Sequence, residues 1–317
     1  NKDESEANRA VNTTILNVYG SPNKNKSQVT HTTMTGLLDL HKVIHYADAK
    51  DIGVILYVDR HALMRQLDTI LPLYHAWGVK GVKYGFVNVG NQQANTWLME
   101  AIRKAAKYHL MLDIHDEYRP TGYSRTYPNL VTQEGVRGDE ESPKNDMVLN
   151  TLFTRMIAGA ADQTNCYFAP RVPEMGSHVS QLAKTICIYS PFQFLFWYDR
   201  PEGSLLHTGE AGGTTSVIRE TPELTFFDRL PTVWDDTKVL EGYPGKYITV
   251  ARSKGNDWFI GCINGKQERE FTINLDFLQQ GVQYDAVVYY DDPAQQTLTK
   301  VGISKITVNS KSVITRD

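Results

Sequence analysis

The stretch Val54-Ile-Leu-Tyr-Val58 decides the fold class, because a short and almost wholly apolar run is typical of a strand buried on both faces. Two similar runs follow it, Val82-Lys-Tyr-Gly-Phe-Val87 and Leu110-Met-Leu-Asp-Ile114. Apolar residues at helical spacing separate the runs, and Gly78-Val-Lys-Gly81 ends the helix between the first two. Three consecutive strand–helix units with short connections predict a parallel sheet.

Later apolar runs, Ile186-Cys-Ile-Tyr189 and Phe194-Leu-Phe-Trp197, are interpreted as further strands that extend the alternation to about residue 230. A (β/α)8 barrel and an open doubly wound sheet both fit this pattern. No glycine-rich phosphate loop follows any of the strands, and its absence weakens the nucleotide-binding version of the open sheet.

The sequence changes character beyond Asp236. Short strand-like runs occur there at roughly regular spacing, with turn residues such as Lys254-Gly-Asn-Asp257 and Asp291-Asp-Pro293 between them. This pattern predicts a small antiparallel β-domain. The predicted strands lie at residues 246–252, 258–263, 270–274, 284–290 and 303–308.

Three segments follow from these patterns. Residues 1–35 are predicted to be a polar N-terminal arm or loop, in which Thr14-Ile-Leu-Asn-Val-Tyr19 is a possible strand. Residues 36–240 are predicted to form the α/β domain, and residues 241–317 the C-terminal β-domain.

The overall charge and composition exclude several classes of protein. The 33 Lys and Arg residues nearly balance the 36 Asp and Glu residues, so the net charge is −3. A chain this close to neutral gives no electrostatic reason for nucleic acid or an anionic membrane as its main partner. No run reaches about 18 apolar residues, so we expect no membrane span. The three cysteines are too few and too scattered for a disulfide framework or a zinc cluster.

Polar side chains follow the predicted strands at their carboxyl ends, where a parallel barrel places its active site. Asp59 follows the first strand, and His115, Asp116 and Glu117 follow the third. A solvated loop or a helix cap would show a similar pattern, but the position at a strand end favours a functional site. We interpret His115 as a hydrogen-bonding partner that fixes its neighbours, rather than as a base or a ligand.

Two carboxylates, Glu134 and Glu140, lie six residues apart with Gly135 and Gly138 between them. The glycines let the backbone fold tightly, so that both carboxylates can converge. Hard cations such as Ca²⁺ take several oxygen ligands, and a pair of carboxyl groups also suits acid–base chemistry. An acidic surface loop is the alternative interpretation, and the spacing is not that of an EF-hand.

Several longer motifs, in the same order along the chain, resemble those of glycoside hydrolase family 97. The similarity covers about residues 40–300 and is far more specific than any single short pattern. The motifs are Trp77-Gly-Val-Lys-Gly-Val-Lys-Tyr-Gly-Phe-Val-Asn-Val89, Asp113-Ile-His-Asp-Glu-Tyr-Arg-Pro-Thr-Gly122, and the segments 124–140, 153–161, 189–193, 197–201 and 231–236.

The resemblance implies a calcium-dependent, exo-acting α-glycosidase that cleaves terminal α-linked sugars from oligosaccharides, as an α-glucosidase or an α-galactosidase. It also implies a (β/α)8 TIM-type barrel followed by a small antiparallel β-sandwich domain and preceded by a large β-domain. We expect this chain to lack the preceding domain and the barrel to be incomplete at its N-terminus. A periplasmic or secreted location follows from the family, although no signal peptide is visible. The oligomeric state is not predicted.

The resemblance also assigns roles to single residues. Glu140 matches the general acid, which also lies at the calcium, and Glu134 matches a calcium ligand. Retaining members carry an Asp nucleophile in a Lys-x-Asp-Phe motif, where this chain has Lys83-Tyr-Gly-Phe86. Inverting members have Gly at that position, here Gly85, and a Glu directly after the His of the next strand. Asp116 holds this last position, so the resemblance is closer to the inverting α-glucosidase type.

The remaining site residues follow from the same comparison. Asp116 or Glu117 would activate water, and a further base carboxylate of inverting members falls near Asp59. Asp116 is also an expected metal ligand. The residues expected to bind substrate are Lys83, His115 and Arg119. Two alternatives stay open, a non-catalytic carbohydrate-binding fragment and a retaining enzyme that uses another carboxylate such as Asp59.

Overall fold

The structure is a computed structural model that describes residues 39–203 and 216–316. The predicted N-terminal arm and its possible strand lie outside the described residues. The described chain forms two compact units, the first at 39–135 and the second at 136–203 and 216–316. The predicted domain boundary near residue 240 stays a prediction. Within the described part, no helix combines the length and apolar character needed to cross a membrane.

The first unit contains a parallel sheet of four strands, which pair in the order in which they occur along the chain. The predicted three strand–helix units are confirmed. The fourth strand was not predicted, because a 3₁₀ turn rather than an α-helix precedes it and it has only two apolar residues. The elements are α1 (Leu40–Asp48), β1 (Ile55–Asp59), α2 (Arg60–Ala76), β2 (Gly81–Gly85), α3 (Gln92–Lys107), β3 (Met111–Ile114) and β4 (Leu130–Gln133).

The helices of this unit begin at residues whose side chains cap them. The Asp59 carboxylate accepts a hydrogen bond of 2.7 Å from the backbone amide of His61 at the start of α2. The Asn91 side chain accepts one of 2.8 Å from Ala94 at the start of α3. These caps satisfy backbone donors that a helix leaves unpaired at its first turn. The helices then bury apolar residues, among them Ile70 and Ile102, against the strands.

The second unit begins with helices and loops. The predicted strands at 186–189 and 194–197 are wrong. A capping box of Ser177 and Ser180 starts a helix, in which Ile186 and Cys187 form the last turn, while 194–197 is a loop. The elements are a 3₁₀ turn (Asp139–Glu141), α4 (Asn145–Phe153), a second 3₁₀ turn (Arg155–Ala158), α5 (Val172–Met175), α6 (His178–Cys187) and α7 (Leu224–Arg229).

Antiparallel strands complete the second unit, and the five strands predicted there are confirmed. Two more flank them along the chain, at Asp236–Tyr243 and Val313–Arg316. Their residues are mostly exposed and therefore lack the alternation that marks a half-buried strand. The four parallel strands and these antiparallel sheets do not include a closed barrel among the described residues. The strands are β5 (Asp236–Tyr243), β6 (Tyr247–Lys254), β7 (Asp257–Asn264), β8 (Phe271–Asn274), β9 (Tyr284–Asp291), β10 (Val301–Val308) and β11 (Val313–Arg316).

Candidate active site

One face of the parallel sheet carries a row of polar side chains. Tyr57, Lys83 and Asp113 are register partners on three adjacent strands, so their side chains point to the same face. The Lys83 ammonium lies 2.6 Å from Asp113 Oδ2, and both side chains are almost fully buried. This ion pair lies under the carboxyl end of the sheet. The expectation that Lys83 also binds substrate stays a prediction.

The backbone hydrogen bonds of the parallel sheet continue for one residue beyond β3 and β4. The His115 amide donates to Tyr84 and the Glu134 amide donates to Ile114, each over 2.8 Å. His115 Nδ1 then lies 2.7 Å from Glu134 Oε2, and both side chains are buried. The contact places the His115 ring against the Glu134 carboxylate, and the interpretation of His115 as a hydrogen-bonding partner stays a prediction.

Asp116 joins this pair to form a compact cluster, which we call the carboxylate cluster: His115, Asp116 and Glu134. One possible ligand atom from each residue lies within 4.8 Å of the others. The Asp116 amide donates to Glu134 Oε2, and the Asp116 carboxylate accepts a hydrogen bond from the Phe86 amide. The structure therefore brings together Asp116 and Glu134, two of the three predicted metal ligands.

The backbone explains why Asp116 rather than Glu117 faces the cluster. Asp116 has a φ of 64° and Phe86 has a φ of 54°, both in the left-handed region that non-glycine residues rarely occupy. The strand geometry thus ends at His115, and the turn aims the Asp116 carboxylate at β2. Glu117 is exposed. Arg119, also exposed, donates a hydrogen bond of 3.2 Å to the Glu117 carbonyl.

The donor set of the cluster fits Ca²⁺, the cation that the family resemblance implies. Two carboxylates held this close repel each other unless a cation or a proton lies with them. Their oxygens are the hard ligands that Ca²⁺ takes. The imidazole of His115 contacts Glu134, so we assign it to orienting that carboxylate, as groups around metal ligands commonly do. Asp116 and Glu134 are the residues of the first unit that would hold the ion.

Gly85 lies on the same face of the parallel sheet as Lys83, and the side chain of Tyr57 on the adjacent strand fills the space beside it. A β-carbon built on Gly85 would lie 1.7 Å from Tyr57 Oη and 2.0 Å from Tyr57 Cζ. The Tyr57 ring also meets the His115 ring edge-on, with 6.0 Å between ring centroids. No side chain fits at position 85 while Tyr57 stays there. Tyr57 was not predicted as a site residue, because its contact with Gly85 depends on the register of β1 and β2.

Asp59 is buried but has other partners. Its carboxylate caps α2, as described above, and lies 2.9 Å from His61 Nδ1. The structure therefore shows a capping role for Asp59, and its proposed role as a base stays a prediction.

Glu140 belongs to the second unit, where it lies in the 3₁₀ turn Asp139–Glu141 and is half-buried. Its carboxylate accepts a hydrogen bond from the Thr164 hydroxyl, and its carbonyl accepts one from Arg171. The Arg171 guanidinium in turn lies over the Tyr198 ring, 5.4 Å from the centroid. These contacts fix both the side chain and the backbone of the predicted acid.

A second acidic group of this unit was not predicted as a site residue. Burial raises the pKa of Asp199 to about 6 from its ordinary value of 3.8, with a smaller contribution from the charge of Asp139. The Phe168 amide donates 2.9 Å to Asp199 Oδ2. The motif Trp197-Tyr-Asp-Arg-Pro201 marked this segment in the sequence, but nothing in it indicated burial.

Comparisons with known proteins agree in family. Residues 10–136 match the family model described as "Glycoside hydrolase 97", and residues 233–317 match "Glycosyl-hydrolase 97 C-terminal, oligomerisation". The chain is 32% identical over 274 residues to a retaining α-galactosidase of Bacteroides thetaiotaomicron, which covers 80% of this chain and 39% of the relative. It is 31% identical over 228 residues to a probable retaining α-galactosidase of Streptomyces bingchenggensis, which covers 69% of this chain and 33% of the relative.

Solved structures show a similar fold. A glycoside hydrolase family 97 enzyme from Pseudoalteromonas sp. strain K8, in complex with acarbose, superposes with a TM-score of 0.71 at 23% identity. That match covers 88% of this chain and 47% of the other. A β-arabinopyranosidase gives a TM-score of 0.65 at 21% identity, and the match covers 87% of this chain and 46% of the other. The chain thus spans less than half the length of each of these relatives.

Proposed function

Because the chain belongs to glycoside hydrolase family 97, we propose that it carries the catalytic apparatus of an α-glycosidase that removes terminal α-linked sugars from oligosaccharides. The support lies in the carboxylate cluster at the carboxyl end of a parallel sheet and in the ordered Glu140. The two curated relatives are named α-galactosidases, so α-galactosides are the first substrates to test. α-Glucosides are the second, because the sequence motifs are closer to that type.

The proposed mechanism is inversion by direct attack of water. The observation that carries it is Gly85, where Tyr57 leaves no space for a nucleophilic side chain. The Asp116 carboxylate binds the amide of Phe86, directly after Gly85, so a base lies next to the position that a nucleophile would occupy. Asp116 would hold and deprotonate the water, and Glu140 would protonate the leaving oxygen.

The other residues of the first unit would support this chemistry. His115 would keep Glu134 oriented, and the buried ion pair with Asp113 would hold Lys83 in place on the same face of the sheet. A bound Ca²⁺ would supply a fixed positive charge that orients substrate hydroxyls. We also propose a periplasmic or secreted location, as family membership suggests, and self-association through the C-terminal region, which the description of the matched model supports.

Turnover of aryl α-galactosides and α-glucosides with added Ca²⁺ tests the proposed function. We expect Glu140→Gln to abolish turnover, because an amide cannot donate the proton at the required step. The matched control is Glu141→Gln, since Glu141 is the exposed neighbour, paired with Arg137 at 3.1 Å. Near-normal turnover in Glu140→Gln would refute the assignment of the acid.

Two alternatives are distinguished by two further measurements, sugar binding and covalent labelling. A non-catalytic carbohydrate-binding protein would bind sugar without any turnover. A retaining enzyme would be labelled by a mechanism-based covalent inhibitor, and the labelled residue would identify the carboxylate used. The names of the two curated relatives are the observation that favours this second test.

A further inference from the structure

The turn that carries Glu140 rests on a buried ion pair. Asp139 and Glu140 are adjacent in the 3₁₀ turn, with Asp139 fully buried and Glu140 half-buried. The Lys184 ammonium lies 3.4 Å from Asp139 Oδ1, and the two side chains are 1% and 0% exposed. Lys184 is on α6, so the pair ties the turn to a helix that a capping box holds at its start.

Asp139 also makes hydrogen bonds that fix its orientation. Gln163 Nε2 donates to Oδ1 over 2.8 Å, and the Cys166 amide donates to Oδ2 over 3.2 Å. The backbone amide of Asp139 donates 3.1 Å to the Gln163 carbonyl. The segment 163–166 that supplies these groups also supplies Thr164, whose hydroxyl binds the Glu140 carboxylate. One hydrogen-bond network therefore holds both Asp139 and the Glu140 side chain.

The energetics of such a pair argue against a purely stabilising role. Taking two charges out of water costs about as much as their attraction returns, so well-packed apolar residues of similar size often stabilise a protein equally well or better. A buried pair can instead enforce one conformation, because each charge has a single place where its desolvation is compensated. A conformation fixed in this way matters most where a reacting group must be held within a fraction of an ångström.

We propose that Asp139 and Lys184 are positioning residues that fix the turn presenting Glu140, so that the acid reaches the leaving oxygen of the substrate. The inference rests on the proposed role of Glu140 as the general acid. Neither residue touches the substrate; both act through the turn. Nothing in the sequence marked Lys184, which lies 44 residues from Glu140 on a segment that was interpreted in part as a strand.

Substrates with different leaving groups separate positioning from stability. The 2,4-dinitrophenolate group of a 2,4-dinitrophenyl α-glycoside leaves without being protonated. The phenolate group of the phenyl α-glycoside of the same sugar needs general acid assistance to leave. We expect Asp139→Asn to lower kcat/KM for the phenyl substrate by about tenfold or more, through kcat, with little effect on the dinitrophenyl substrate. The ratio of kcat/KM for the two substrates does not depend on the fraction of folded protein, so partial unfolding does not change this ratio.

Three further variants make the test decisive. Glu140→Ala defines the full leaving-group effect. The double variant Asp139→Asn/Lys184→Met removes both charges, which avoids an unpaired buried charge that would prevent folding. Tyr167→Phe is the control for destabilisation, because it removes a buried hydrogen bond to Glu223, of 3.1 Å, in the same unit. We expect this control to lower the melting temperature without changing the ratio.

Hydrogen exchange supplies a readout without turnover. We expect faster exchange of the Asp139 and Glu141 amides in the double variant, and no change in Tyr167→Phe. Equal losses on both substrates in Asp139→Asn, or unchanged exchange in the double variant, would overturn the positioning role. If the wild-type protein hydrolyses neither substrate, or Glu140→Ala does not discriminate between them, the proposed function fails instead, and the exchange of the two amides still decides whether the pair orders the turn.

Discussion

The contact between Gly85 and Tyr57 predicts a large and specific energetic coupling between these positions. A β-carbon at position 85 would lie 1.7 Å from Tyr57 Oη, less than half the distance of roughly 3.5–4.0 Å at which carbon atoms pack. Overpacking in a core costs about 1–3 kcal/mol, and we expect Gly85→Ala to lie near the upper limit, at about 3 kcal/mol. The Tyr57 ring would have to leave its place beside His115.

The destabilisation by Gly85→Ala should disappear when the Tyr57 ring is removed. In a Tyr57→Ala background we expect Gly85→Ala to be neutral or stabilising by about 0.5 kcal/mol, since alanine loses less backbone entropy than glycine in a strand. The coupling energy from a double-mutant cycle is then about 3 kcal/mol. In the control background Tyr57→Phe, Cζ still lies 2.0 Å from the new carbon, so Gly85→Ala stays costly.

Urea unfolding of the five variants and of the wild-type protein measures this cycle and its Tyr57→Phe control. Equal costs for Gly85→Ala with and without the tyrosine ring would refute the claim that Tyr57 closes position 85. That result would also remove the structural reason for excluding a nucleophile there.

Three further predictions concern charged groups. Lys83→Met removes the cation that lies 2.6 Å from the buried Asp113 carboxylate, so chemical denaturation should show a loss of about 3–5 kcal/mol in the free energy of unfolding, and a loss below 1 kcal/mol would contradict the buried pair. Asp59→Asn keeps the helix cap and should preserve the melting temperature, while a fall in kcat would assign a base role to Asp59 and unchanged kcat would exclude it. Because the pKa of Asp199 is about 6 in the folded state and 3.8 as its ordinary value, the folded state binds the proton more tightly, and stability is lost as pH rises through this window. Asp199→Asn should therefore match the wild-type protein near pH 4 and exceed it by about 3 kcal/mol above pH 7, and parallel pH–stability curves would contradict this.

The predictable part of the fold was the part with simple periodicity. The strands Ile55–Asp59, Gly81–Gly85 and Met111–Ile114 are apolar runs between amphipathic helices, and five C-terminal strands are separated by turn residues. The run at Ile186 was misassigned because a short apolar segment fits a buried helix and a buried strand equally well. The helix start that resolves the ambiguity is the capping box at Ser177, ten residues before the helix ends at Cys187.

The site was predictable where a carboxylate follows a strand. Asp116 and Glu134 follow β3 and β4, and the parallel ladder brings them together. The inward direction of Asp116 was not predictable, because it depends on a left-handed backbone conformation that no residue type signalled. Tyr57 was equally hidden, since its effect on Gly85 arises from strand register rather than from sequence spacing.

The stereochemistry of the first product tests the proposed mechanism most directly. An aryl α-glycoside that the protein hydrolyses is mixed with it in an NMR tube, and the anomeric proton of the released sugar is observed before mutarotation. Water attack opposite the leaving group, with no side chain at position 85, predicts that the β-anomer forms first. Initial release of the α-anomer would contradict this account and would require a covalent intermediate on another carboxylate.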